Sequence, residues 1–345
     1  MKQYTLTIQE IRKETEDTIT LGFKQPGLRK IKYQAGQYIT LILRINGRKY
    51  ARPYSFSSSP SVDNNLEVTV KRVPKGVVSN YINNELKVGD VIEVLEPMGD
   101  FTFVCRKPET PIYLWGVGSG ITPLNSILKE VLYMYQYSNI HLIYGNKNQD
   151  STIFRNQLSL MKKNHPSNFS ISNFYSQQED LLENNAEYKG RITSDFVTNL
   201  VSKEKNVKES VHYICGPKSL KDTIQSSLME LKVPLSAIYI EEFELVIDPK
   251  ELVGVEDSSI TVHFQGKQSE IFVPKGKSIL DVSLDNGIEI PYSCQTGNCN
   301  TCKAKLKEGQ LKMLGLTKER EDLAQDEFLL CCSYPLTSQI SIEVI

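Results

Sequence analysis

The segment Pro291-Tyr292-Ser293-Cys294-Gln295-Thr296-Gly297-Asn298-Cys299-Asn300-Thr301-Cys302 constrains this chain more than any other. It sets three cysteines at a C-x4-C-x2-C spacing, and two more, Cys331 and Cys332, follow downstream. Four thiolates in this arrangement hold a 2Fe–2S cluster. The ligands must lie on a short loop that wraps the cluster and turns its backbone N–H groups toward the sulfurs. Small and polar residues between the cysteines allow this, and Gly297 permits a tight turn. A disulfide framework fits poorly, because three cysteines within nine residues crowd one another as disulfides.

A chain of 345 residues has room for two or three domains. A net charge of −1 gives no electrostatic footing for nucleic acid. The amino-terminal residues alternate like a strand and lack a signal-peptide core. No apolar run is long enough to span a membrane. Seven cysteines in such a chain fit thiols kept reduced for metal ligation, so a cytoplasmic location is expected. Charge is uneven: residues 1–105 carry fifteen Lys and Arg against eleven Asp and Glu, and residues 256–345 carry nine against thirteen. The imbalance serves a charged ligand or partner, a docking of the two ends, or nothing beyond surface variation.

Residues 1–105 read as short strands broken by Gly and Pro, at Tyr4–Glu10, Thr18–Phe23, Tyr38–Ile45, Arg48–Ser57, Leu66–Arg72 and Val91–Val94. A helical stretch spans Gly76–Glu85. This predicts an antiparallel barrel or sandwich. Within it, Arg52-Pro53-Tyr54-Ser55 offers a guanidinium that forks onto phosphate, an aromatic face for a flat ring, and a hydroxyl for a ring nitrogen. Gly76, Val78 and Ser79 mark a helix start whose free N–H groups suit a pyrophosphate; side-chain capping by Ser79 or Asn80 is the plainer reading.

R-x-Y-S followed by G-x-x-S resembles the flavin domain of the ferredoxin–NADP reductase superfamily. The resemblance implies that Arg52 contacts the flavin phosphate, Tyr54 packs on the isoalloxazine and Ser55 faces its N5. It also implies that Gly76, Val78 and Ser79 hold the pyrophosphate of FAD.

From about residue 108 apolar strands alternate with helices, which predicts a parallel sheet with helices on both faces. Strand Ile112–Trp115 runs into Gly116-Val117-Gly118-Ser119-Gly120-Ile121-Thr122-Pro123, with Thr122 expected as N-cap, Pro123 at the first helical position and a helix over about Leu124–Tyr137. The run is G-x-G-x-G-I-T-P, which differs from the Rossmann pattern. It is similar to the nicotinamide-binding half of the same superfamily, as are Tyr144-Gly145-Asn146-Lys147 and Cys215-Gly216-Pro217. The resemblance places Gly116, Gly118, Gly120, Thr122, Pro123, Cys215, Gly216 and Pro217 at the nicotinamide, and Glu242 and Phe243 near the flavin. Family members using NADP often show Ser-Arg where this chain has Ser176-Gln177, followed by Gln178, Glu179 and Asp180. NADH is therefore favoured, with Arg191 and Lys147 keeping NADPH open.

Residues 247–257 read as a linker, and 258–345 resemble a β-grasp plant-type ferredoxin. Two strands flank a Gly266-Lys267 turn, Ser278 and Asp281 form a capping box, and Asn286-Gly287 stops the helix. Cys294, Cys299 and Cys302 are three metal ligands. The fourth is Cys331 or Cys332: Cys332 matches the usual loop length of the family, and Cys331 its C-x-x-Y-P context. Context beside the ligand fixes geometry more than loop length does, which favours Cys331.

The expected architecture is multidomain: an antiparallel β-barrel FAD domain over 1–105, an α/β parallel-sheet NAD(P) domain over 106–246, the linker, and an α+β β-grasp 2Fe–2S domain. The whole resembles the reductase components of bacterial multicomponent oxygenases, the reductases of phenylacetyl-CoA epoxidases among them. Nicotinamide gives up two electrons together and the cluster takes one at a time, so a flavin must stand between them. The implied order is NAD(P)H, FAD, 2Fe–2S, then a protein acceptor such as an oxygenase component or a small carrier, with no role for nucleic acid or membrane. Ser55, Cys215 and Glu242 tune and position the reaction, and none is a nucleophile. A general ferredoxin or flavodoxin reductase and a redox-sensing cluster protein are the alternatives.

Overall fold

Strand β1 (Gln3–Thr15) is followed by β2 (Thr18–Phe23), β3 (Tyr38–Ile45), β4 (Arg48–Ser55), β5 (Leu66–Lys71), helix α1 (Val77–Asn84) and β6 (Val91–Leu95). The computed structural model describes residues 2–27, 30–135, 137, 139–178, 180 and 186–345. The strands form one antiparallel sheet in the order β4-β3-β6-β1-β2-β5. β1 is longer than its sequence signal because it serves two partners: Gln3–Thr7 pair with β6 and Ile8–Thr15 with β2, with irregular register between Ile8 and Glu10. That bend rolls the sheet toward a barrel. Closure rests on a bridge between Phe56 and Val68 and on the Ser57 amide bonding the Glu67 carbonyl at 2.9 Å, so the barrel is a half-barrel. The strand expected to reach Ser57 ends at Ser55.

The next elements are β7 (Ile112–Val117), α2 (Ile121–Met134), β8 (Ile140–Asn146), α3 (Arg155–Asn164), β9 (Phe169–Tyr175), β10 (Glu187–Lys189), α4 (Ser194–Val201), β11 (Val211–Cys215), α5 (Lys218–Glu230) and β12 (Ile238–Glu241). They build a parallel sheet in the order β10-β9-β8-β7-β11-β12. Pleat alternation along β7 divides the core into two layers. Ile112 and Leu114 pack with residues of α2 and α3 on one face, while Tyr113 and Trp115 pack with residues of α4 and α5 on the other. The edge strands β10 and β12 escape the sequence pattern because they are three and four residues long. α3 starts at Arg155, after a turn over residues 148–152 in which the Ser151 and Thr152 hydroxyls both bond the Asn148 carbonyl.

The chain divides into two compact units, Met1–Asn46 with Tyr54–Glu241, and Gly47–Pro53 with Glu242–Ile345. In the second unit β13 (Ser258–Phe264), β14 (Lys267–Val273), α6 (Ile279–Asp285), β15 (Lys303–Glu308), β16 (Leu311–Met313), β17 (Glu327–Leu329), β18 (Ser333–Pro335) and β19 (Gln339–Val344) form a mixed sheet, β14-β13-β19-β15-β17, and a small ladder, β16-β18. Gln265 and Gly266 at φ 51° and 73° make the β13–β14 turn, which suits the strand twist. Ser278 accepts from the Asp281 amide at 3.1 Å and bonds its carboxylate at 2.7 Å, completing the capping box of α6. Val255, Leu314 and Tyr334 make a small core of their own, and Ile247, Leu252 and Leu336 pack against it. The linker is thus anchored by apolar side chains within its own unit. No helix among the described residues is long and apolar enough to cross a membrane.

Candidate functional site

The parallel sheet reverses its order between β7 and β11, and open α/β sheets bind ligands at such a switch point, beyond the strand C-termini. Cys215 pairs directly with Gly116 there, so both glycine-bearing segments meet at one crevice. Their glycines are dictated by space. A Cβ on Gly120 would overlap the Cys215 carbonyl, one on Gly116 would lie 2.9 Å from a Leu124 methyl, and one on Gly216 would lie 2.8 Å from a Leu220 methyl. Gly118 differs: its φ is 55° and nothing lies within 4 Å of its missing Cβ, which leaves backbone open to a ligand. The Tyr144 hydroxyl donates to the Gly118 carbonyl at 3.0 Å and fixes the turn.

Thr122 is not the N-cap. A 3-10 turn over Gly118–Gly120 starts the winding early, so α2 begins at Ile121 and Thr122 is its second residue. Its hydroxyl donates instead to the Ser119 carbonyl at 3.1 Å. Pro123, at the third position, is tolerated because first-turn N–H groups have no intrahelical partner. Cys215 is fully buried, Gly216 is half-buried, and Pro217 is exposed as the residue before α5. At the end of β8 the Asn146 side chain is buried beside the Tyr144 hydroxyl. The sequence marked its segment but gave the residue no role. Beside it, the Ser176 and Gln177 amides bond the Asn146 and Lys147 carbonyls at 3.0 and 2.8 Å. Glu179 lies outside the described residues; Asp180 and Arg191 are exposed.

In the flavin segment, Arg52 and Tyr54 are half-buried on β4 and Ser55 is buried. The Arg52 guanidinium donates to the Ala51 carbonyl at 2.9 Å and lies over the Tyr50 ring at 5.7 Å. Within the second unit it lines a cleft with Arg48, Tyr50, Lys277, Asp285 and Tyr292. Gly76 precedes α1, and a Cβ there would lie 2.9 Å from the Ser79 hydroxyl. The capping alternative fails: no side chain caps α1, because the Ser79 hydroxyl accepts from the Val73 amide at 3.0 Å and Asn80 bonds the Val73 and Gly76 carbonyls. The first-turn amides of α1 have no intrahelical partner, the arrangement that an anion site at a helix start requires. Glu242 is half-buried and Phe243 is 43% exposed, both in the second unit.

The sequence did not reveal how the first unit holds its two binding segments together. Ser57, Ser58 and Ser59, which continue the flavin motif, are fully buried against the polar stripe of α2. Asn125 donates to the Ser57 carbonyl at 3.0 Å and Ser126 to the Ser58 carbonyl at 2.5 Å. The Glu130 carboxylate accepts from Ser59 and Ser61 at 2.5 and 2.6 Å, and Lys129 pairs with Asp63 at 2.9 Å. A polar quartet at 125, 126, 129 and 130 in an otherwise apolar helix was the available signal.

In the cysteine loop, the Thr296 and Cys299 amides point at the Cys294 sulfur at 3.4 and 3.3 Å, and the Cys294 amide at the Cys299 sulfur at 3.5 Å. The thiol of Cys294, bonded by Cys299 and Cys331, is pulled down to about 2. The Cys331 thiol, bonded to Cys294, Cys302 and Cys332, is pushed up. The sulfurs of Cys294, Cys299, Cys302 and Cys331 gather at the loop, and the Cys332 thiol, which also reaches Cys331, donates to the Leu329 carbonyl at 3.3 Å. Among the described residues, no three acidic, His or Cys side chains are placed to hold one metal ion together. A two-iron cluster asks for two thiolates at each iron, and this donor set fits it.

Comparison with known proteins agrees with this geometry. The oxidoreductase FAD-binding domain family matches residues 5–103, the oxidoreductase NAD-binding domain family residues 114–226, and the 2Fe-2S iron-sulfur cluster binding domain family residues 262–336. The chain is 30% identical over 352 residues to one of the subunits of the 1,2-phenylacetyl-CoA epoxidase of Escherichia coli K12, covering 99% of this chain and 97% of that one. It is 30% identical to the ferredoxin reductase component of 3-ketosteroid-9-alpha-monooxygenase of Rhodococcus rhodochrous, covering 98% and 96%. Phthalate dioxygenase reductase shares its fold, with a TM-score of 0.69 at 21% identity over 99% of this chain and 98% of that one. The chain belongs to the family of oxidoreductases that join an FAD-binding domain, an NAD-binding domain and a 2Fe-2S domain, a family that includes the reductase components of oxygenases.

Proposed function

We propose that this protein draws electrons from NADH and delivers them singly to an oxygenase component, as the reductase of a multicomponent oxygenase. When bound, FAD takes up a hydride pair and gives up electrons one by one, and the 2Fe–2S cluster carries them singly. The observation that supports the reading is the buried seam from Ser57–Ser59 to α2, which ties the segment after Arg52–Ser55 to the helix behind the Gly116–Gly120 turn in one unit. Hydride transfer needs close, fixed placement of the two rings.

In this reading Gly116, Gly118 and Gly120 admit the coenzyme backbone, Thr122 and Pro123 shape the helix start beneath it, and Cys215, Gly216 and Pro217 bound the nicotinamide. Gly76, Val78 and Ser79 hold the FAD pyrophosphate and Arg52 its phosphate charge. Tyr54 packs on the flavin, Ser55 and Glu242 position it, and Phe243 shields it. Cys294, Cys299, Cys302 and Cys331 ligate the cluster. Absence of an arginine at Gln177 and the carboxylate of Asp180 favour NADH over NADPH. Domain limits near residues 105, 246 and 257, and a cytoplasmic location in keeping with seven free cysteines, complete the proposal. Reduction assays with the oxygenase component of the same organism, against flavodoxin and small ferredoxins, test the partner. Equal or faster reduction of a small carrier replaces this reading by a general ferredoxin or flavodoxin reductase.

A further inference from the structure

We propose that Arg320 is the strut of the cysteine loop and, balanced by Asp322, sets the reduction potential of the cluster that the loop holds. The inference rests on the 2Fe–2S reading and adds a residue from outside the ligand motif. Arg320 lies in the irregular segment after β16, with a side chain only 12% exposed. Its guanidinium donates to the Gly297 carbonyl and to the Asn300 side-chain oxygen, both between cluster ligands in the chain. The Nε–Nη2 edge of the guanidinium forks onto Asp322, with both contacts at 2.8 Å. Asn300 closes the circuit by donating to Asp322 at 3.0 Å.

A second contact from the same segment braces the loop. Gly297 has φ 75°, and a Cβ there would overlap Leu316 and approach the Cys332 sulfur at 3.3 Å. The segment from Leu316 to Asp322 therefore holds the loop at Gly297 and Asn300 while the amides of Thr296 and Cys299 point at sulfur. Reduction adds one electron and one negative charge to the cluster. A fixed cation against the loop favours that charge, and the carboxylate of Asp322 offsets part of the effect, since net charge and hydrogen bonding set cluster potentials. Lysine could keep the charge but not the planar fork.

The test uses the full chain, purified anaerobically as wild type, Arg320→Ala, Arg320→Lys and Asp322→Asn. Each is measured for iron content, cluster midpoint potential by redox titration, and rate of cluster loss to excess chelator. Arg320→Ala is expected to lower the midpoint and speed cluster loss at least severalfold. Arg320→Lys is expected to restore the midpoint and leave cluster loss fast, and Asp322→Asn to raise the midpoint. Should Arg320→Ala assemble no cluster, Asp322→Asn decides: a raised midpoint supports the proposal, and an unchanged or lowered one overturns it. A wild-type midpoint and loss rate in Arg320→Ala also overturn it. A wild-type chain that takes up no iron removes the cluster reading itself, and this proposal with it.

Discussion

The crevice at the β7–β11 switch point and the cysteine loop are both glycine-containing turns, and they are held in different ways. The crevice is set from beneath by backbone: Gly120 lies against the Cys215 carbonyl with no room for a methyl group, and α2 behind it is bolted to Ser57–Ser59 by buried hydrogen bonds. The cysteine loop takes its shape from amides aimed at sulfur and from a long-range side-chain strut, Arg320. The first arrangement is part of the folded core. The second brings four thiols together, an arrangement completed by metal, since cluster binding and folding of a ligand loop are linked.

The largest effect that separates the two regions comes from Cys302→Ser. It is expected to abolish reduction of a one-electron protein acceptor while NADH-dependent ferricyanide reduction stays within about twofold of wild type, an outcome read from paired steady-state assays. Loss of both activities in a folded, flavin-loaded variant breaks the comparison. Next is Gly120→Ala. The added methyl must displace the Cys215 backbone, costing about 3 kcal/mol in urea unfolding and raising the KM for NADH at least tenfold, with the cluster spectrum unchanged. Glu130→Ala, which removes the acceptor of the buried Ser59 hydroxyl and of the exposed Ser61 hydroxyl, is expected to cost about 1–3 kcal/mol in the same assay, because a buried donor loses its acceptor. At the bottom lies Lys307→Ala. The Lys307–Glu343 pair is 2.6 Å long but nearly half exposed on both sides, so solvent screening holds its loss to about 0.5 kcal/mol or less. A larger loss would mean that surface pairs matter more in the second unit than this account allows.

How much the sequence revealed follows the same division. Glycines and cysteines that chemistry requires within a few residues of one another stood out: Gly116, Gly118 and Gly120 fall at the switch point, and Cys294, Cys299 and Cys302 converge. Local winding was less visible, since Thr122 looks like an N-cap until the 3-10 turn before it is seen. The serine run after Ser55 reads as a strand edge, yet it is buried, because its partners lie more than sixty residues away on α2. Arg320 carries no motif: its partners are a carbonyl and an asparagine in the cysteine loop, a pairing that only the tertiary fold creates.

In the proposed function this chain takes electron pairs from NADH and passes single electrons outward through its cysteine loop. Anaerobic titration with NADH and then NADPH, following flavin and cluster absorbance separately in wild type and Cys302→Ser, tests it most directly. The account predicts bleaching of both chromophores in wild type and of flavin alone in the variant, at lower NADH than NADPH. Cluster bleaching by NADH in a flavin-free chain, or no flavin bleaching in the loaded wild type, contradicts it.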